Sequence, residues 1–131
     1  MGVVRLHSAV KMEPSDIMDL STFTSDDHTE LFHDFFATED ESITAGIWEC
    51  APCFEEVKNY PSYEMMVFIS GSVTVTDESG SQIFKAGDVL FVSKGSDFTW
   101  NITETLRKFY MIVEERKGEA DAGVQEGSLG A

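Results

Sequence analysis

The sequence predicts an all-β fold of the sandwich or barrel type, on three observations. From Ser42 to Val113 the side chains follow the two-residue period of strands. Turn signals break that pattern at short, even intervals, and no stretch between them sustains a helical stripe. A chain of 131 residues suits one compact domain, and no apolar run approaches the roughly 20 residues that span a bilayer.

Taken in order, residues 1–41 read as an arm. Ten acidic and two basic side chains fall here, against nine and five in 42–113 and five and two in 114–131. Its segments "PSDIMDLSTF" and "DDHTELFHDFF" carry apolar residues without a clean period. A strand at "VVRLHSAV" and a helical turn near Glu30 are the expected local structures, with the arm partly wrapping the barrel or a dimer partner. In "HTELFHD", His28 and His33 lie five residues apart, off the i,i+4 spacing of helical metal ligands, so these histidines and Asp34 read as a polar surface.

Within 42–116 the candidate strands are "SITAGIWEC", "YEMMVFIS", "SVTVTDE", "SQIFK", "DVLFVSK", "DFTWNIT" and "RKFYMIVEE". Turns are expected at "ESGS", "KAGD" and "KGSD". The tail, residues 117–131, is glycine-rich and too poor in apolar side chains to offset its ordering entropy, so disorder is expected there.

Two features bear on function before any likeness is considered. The formal charge of −15 repels phosphate backbones and anionic lipid, which argues against nucleic-acid and membrane partners. The start of the chain lacks a signal-peptide core and two cysteines make no disulfide framework, so a cytoplasmic location is expected. Cys50 and Cys53, in "GIWECAPCFEEV", mimic a redox C-x-x-C. Such a motif needs a helix N-terminus inside a βαβ unit, whereas "FEEVKNYPSYE" offers at most a turn of helix before Pro61.

The stretch "YEMMVFISGSVTVTDESGSQIFKAGDVLFVSKGSDFTW" has a glutamate, six residues and a glycine, then a hairpin, then G-D-x-x-x-x-x-x-G. Flanked by "GIWECAP" and "ETLRKFYMI", it resembles the cupins, and most closely the small single-cupin group similar to the ethanolamine-utilisation cupin EutQ and to ureidoglycine aminohydrolase. The resemblance implies a double-stranded β-helix, the RmlC-like jelly-roll barrel, with an irregular N-terminal arm and a barrel mouth that can hold a small molecule. It also implies dimerisation through the N-terminal region, so a homodimer is expected.

Metal-binding cupins carry H-x-H shortly before the glutamate and a further histidine after the second motif's glycine. Here the glutamate is Glu64, the H-x-H places hold Lys58 and Tyr60 or Val57 and Asn59, and the last place holds Phe98. No transition metal is therefore expected, and a divalent ion held weakly by Glu64 and Tyr60 stays open. Alternation from Glu64 turns Met66 and Phe68 inward. Trp48, Trp100, Lys108 and Tyr110 fall in segments shared with the look-alike group. Glu64 as a base and Lys108 as an acid or anion clamp are the candidate catalytic pair, with Trp48, Tyr60, Met66, Phe68, Phe98, Trp100 and Tyr110 as ligand-binding residues. Three functions fit: a barrel binding a small polar metabolite; an isomerase, lyase or amidohydrolase acting on a nitrogenous or sugar-like substrate; and a non-catalytic dimeric assembly protein.

Overall fold

The computed structural model describes residues 2–115. Its eight strands are β1 (Glu13–Pro14), β2 (Glu30–Ala37), β3 (Ile43–Cys50), β4 (Cys53–Val57), β5 (Tyr63–Asp77), β6 (Gly80–Lys85), β7 (Val89–Val92) and β8 (Phe98–Val113), with one 3-10 turn at Leu20–Thr22. Every strand pairing is antiparallel. The all-β expectation holds.

The sheet doubles back on itself because β5 and β8 are long and shared. Through 106–113 β8 pairs with β3, and through Phe98–Ile102 with β4; β5 pairs with β7 near its start and with β6 near its end. Two halves result. The sequence breaks each of these long strands in two, at Gly71 and at 104–106, whereas each runs on through its bend. The register between them shifts between Phe68 and Val73, which is where the strands change direction. Gly71 makes this possible: its φ is +85°, and a Cβ there would meet the Thr105 carbonyl oxygen. Only glycine supplies both the left-handed backbone and the close approach.

The arm differs from its reading in two ways. Residues 3–10 form no strand. Val3 is fully exposed, and the first ladder contacts are Glu13 with Phe32 and Pro14 with Leu31. The segment around Glu30 is extended rather than helical, and it pairs along its length with β3. Alternation explains this: Glu30, Phe32 and Asp34 all face the interior, and pairing with β3 satisfies the backbone groups that a helical turn would have satisfied internally. Likewise "FEEV" continues as β4, paired with β8, and not as a turn of helix. The tail, which the sequence marks as disordered, lies outside the described residues.

The core sits between the two halves. Trp48, Met66 and Phe68 from one half pack with Val73, Trp100 and Ile102 from the other in a single buried cluster. Cys50 and Cys53 are both fully buried and unbonded covalently, at the end of β3 and the start of β4. No helix begins near them. The hydrogen bond between the two thiols pushes Cys50 up and Cys53 down, so the redox reading fails on the missing helix N-terminus and on burial, not on thiol acidity.

Candidate functional site

A cavity of about 490 Å³ opens between the halves. It is built from alternating residues of five strands. β8 contributes Phe98, Trp100, Lys108, Tyr110 and Ile112; β5 contributes Glu64 and Met66; β3 contributes Thr44 and Trp48; β2 contributes Phe32 and Asp34; β4 contributes Glu55 and Val57. Ile17, Met18, Tyr60 and Pro61 complete the wall from loops. Cross-strand register aligns them: Phe32, Trp48 and Lys108 lie in one row, and Asp34, Gly46, Tyr110 and Met66 in the next.

At the cavity wall Glu64 and Lys108 form an ion pair, 3% and 6% exposed, with Nζ donating to Oε2 at 2.9 Å. The second carboxylate oxygen accepts from the Tyr60 hydroxyl. Nζ also lies 3.2 Å from the Met66 sulfur and 4.9 Å from the ring centres of both Trp48 and Trp100. Removing both charges from water costs several kcal/mol per ion, and the paired geometry, phenol donor and two aromatic faces offset it. Burial first, then the Glu64 charge, pushes the Tyr60 phenol well above its ordinary range. Tyr60 is therefore a fixed proton donor to Glu64.

A second polar group is anchored by the arm. The Tyr110 hydroxyl donates to Asp34 across Gly46, and a Cβ on Gly46 would collide with that hydroxyl. Burial, followed by the bond to Asp34, raises the Tyr110 phenol as well. Behind Trp48, buried Glu30 accepts from the indole Nε1 at 2.8 Å, from the Met18 amide at 2.9 Å and from the Ser15 hydroxyl. Glu30 thus ties the arm to the cavity wall. Glu55 has its carboxyl pushed up by burial and by the charge of Glu30.

Eight of the nine residues proposed from sequence line the cavity: Trp48, Tyr60, Glu64, Met66, Phe98, Trp100, Lys108 and Tyr110. Phe68 does not. It lies deeper, 2% exposed, with its ring 5.6 Å from Phe84 of the other half, because β5 begins to bend immediately after it. Sequence reasoning missed Phe32, Asp34, Glu55 and the anchoring Glu30. The sequence hides them because "ELFHD" and "CFEEV" put acids at inward positions, so neither segment shows the apolar alternation of a half-buried strand. His33 faces the other way, against Phe35 and Glu13, and His28 packs on Phe23.

The donor set does not suit a transition-metal ion. Both Glu64 oxygens are engaged, an ammonium stands beside the carboxylate, Phe98 and Tyr60 fill two of the places where ligands would be needed, and among the described residues no three His, Cys, Asp or Glu side chains converge. What the arrangement offers is an aromatic-walled space with a hydrogen-bonded Tyr60–Glu64–Lys108 chain on one side and Asp34 and Glu55 on others.

Comparison with known proteins agrees with this architecture. The chain is similar to a protein of unknown function of the DUF861 family from Pseudomonas syringae pv. tomato, with a TM-score of 0.73 and 26% identity over 82% of this chain and 46% of that one. The chain therefore spans less than half the length of that relative. It is similar to the EutQ protein of Clostridium difficile, with a TM-score of 0.62 and 20% identity over 80% of this chain and 81% of that one. It is also similar to the putative ethanolamine utilization protein Q of Salmonella typhimurium, with a TM-score of 0.58 and 23% identity over 82% of this chain and the whole of that one. At these identities the last two likenesses carry the fold alone. No curated protein matches the sequence. Residues 37–110, more than half of the chain, match the profile of the EutQ-like cupin domain, and with the barrel and its Glu64-to-Gly71 and Gly87-to-Gly95 motifs in place the chain belongs to that family.

Proposed function

We propose that this chain is a small cupin that binds a polar metabolite in the barrel cavity without a transition metal. The observation that carries the reading is the buried Glu64–Lys108 pair with Tyr60 at the wall of a cavity of about 490 Å³: charge held at a cost beside open space is the pattern of a binding site. The Tyr60–Glu64–Lys108 hydrogen-bonded chain favours a second reading, an isomerase, lyase or amidohydrolase in which Glu64 takes a proton and Lys108 returns one. A cytoplasmic location is part of the proposal, supported by two free cysteines; among the described residues no helix is long and apolar enough to cross a membrane.

Urea unfolding of Glu64→Gln, Lys108→Met and the double variant, beside a thermal-shift screen of small polar metabolites, tests the pocket. Removing one partner of a buried pair strands the other, so each single variant should lose on the order of 3 to 5 kcal/mol, and the double variant should regain much of it. The binding reading requires, in addition, at least one metabolite that raises the melting temperature of the wild type and not of the double variant. Large single losses recovered in the double variant, with no such metabolite, would leave Glu64 and Lys108 as structure alone.

We also propose a homodimer. The outer face of the sheet carries a cross-strand row, Phe91, Met65, Met111, Ala45 and Phe36, in which Phe91 is 61% exposed and Met65 and Met111 about 40%. Tyr63 stacks beside Phe91. The row is free of charge on a molecule of net charge −15, so it is the surface on which two copies approach with least repulsion.

A further inference from the structure

The charges of the cavity wall narrow the ligand to one class. Three carboxyl groups, Asp34, Glu55 and Glu64, face the cavity against one ammonium, Lys108, and buried Glu30 lies directly behind Trp48. That ammonium is not available to an anion: it is already committed to Glu64 and Met66 and covered by the faces of Trp48 and Trp100. A phosphate or carboxylate entering here would meet carboxylates and aromatic faces, both negative, with no free counter-charge.

The acids are not equivalent. Glu64 is neutralised by Lys108, and Asp34 accepts the Tyr110 hydroxyl. Glu55 has no hydrogen bond or ion pair to its side chain among the described residues, and its electrostatic neighbour is another acid, Glu30. Beside it on the same sheet face stand Trp100, its cross-strand partner on β8, and Phe98, the partner of Val57, with the Tyr60 ring centre 5.8 Å from that of Phe98 and the Tyr60 phenol within reach of the Glu55 charge. The barrel already holds one desolvated cation between aromatic faces and a carboxylate, in Lys108 itself. Glu55 with these rings repeats those ingredients around open space.

We propose that the cavity selects a small organic cation, an amine or quaternary ammonium, with Glu55 as its counter-ion and aromatic faces as its cage. This rests on the reading of the cavity as a ligand site and names what that site accepts. The raised carboxyl of Glu55 agrees with it, since a group waiting for a positive partner is destabilised as an anion until that partner arrives.

Calorimetric titration of the whole chain with matched probes tests the class: choline and its neutral neohexyl alcohol isostere, then butylammonium, butanol and butanoate. The cations should bind about tenfold or more tightly than their neutral counterparts, butanoate should not bind, and Glu55→Gln should bring choline down to the level of the neutral isostere. Equal or tighter binding of the alcohols, or an unchanged preference in Glu55→Gln that retains the wild-type circular dichroism, overturns the cation assignment and leaves the pocket standing. A neutral polyol panel that binds while both cations fail does the same. If neither cations, alcohols nor polyols bind, both the class and the ligand-site reading fall.

Discussion

Five side chains define the chemistry at the scale of single residues. Glu64 and Lys108 are each other's solvation, Tyr60 supplies the remaining proton donor, and Tyr110 holds Asp34. Both phenols are raised above their ordinary value of 10.0, so the folded chain retains protons that the unfolded chain releases. Their stabilising contribution is whole below about pH 10 and is lost as pH climbs from there toward the folded-state values, at up to about 1.4 kcal/mol per pH unit for each phenol. The unfolding free energy of the wild type should therefore fall more steeply than that of the Tyr60→Phe/Tyr110→Phe double variant between about pH 9 and about pH 11. Urea unfolding at several pH values measures both slopes, and parallel slopes would show that the phenols titrate in the folded state as they do in water.

The strand β2 is the element on which the cavity depends and which the sequence disguised. Its inward residues are two acids, Glu30 and Asp34, on either side of one aromatic, Phe32, so no apolar alternation announces them. Pairing with β3 fixes the register, and Glu30 then gathers three donors, two of them from the arm that precedes it. Glu30→Ala should strand the Met18 amide and the Trp48 indole, at about 1 to 3 kcal/mol for each donor left without a partner. Hydrogen exchange should quicken through residues 13–22 more than through β5, and Trp48 fluorescence should shift to the red. Unchanged protection in that segment would mean that the arm is held by its apolar contacts alone.

At the scale of the whole molecule, the two halves bury one face each; the arm reaches the outer face near Ile47 and Arg107, and the row from Phe91 to Met111 on that face stays exposed. Tyr63, Met65, Phe91 and Met111 on it are too many to be scattered surface residues, and Met65 stands at the centre of the row. Met65→Glu should convert a dimer to a monomer without loss of fold, since the new charge points to solvent in the separate chain. Light scattering on the eluting protein reads the mass directly. A wild type that elutes as a monomer, or a variant that remains a dimer, would place the self-association elsewhere or remove it.

Apart from β4, the residues from Ser42 to Val113 determined the strand pattern by themselves, because alternation, turn glycines and the spacing from Glu64 to Gly71 and from Gly87 to Gly95 are local properties of the chain. Alternation from Glu64 also turned Met66 inward, and the resemblance to the cupins marked Glu64 itself with Trp48, Tyr60, Phe98, Trp100, Lys108 and Tyr110. Tertiary structure decided what local pattern does not encode. It decided that two pairs of apparent strands run on as β5 and β8, because the bend at Gly71 is a contact between residues more than thirty apart in sequence. It moved Phe68 out of the cavity, since depth along a strand depends on where the opposite half closes. It brought Asp34 and Glu55 in, because a polar residue points inward only when a ladder with a distant partner has set its register, and that register is formed between chains of atoms that the sequence places far apart.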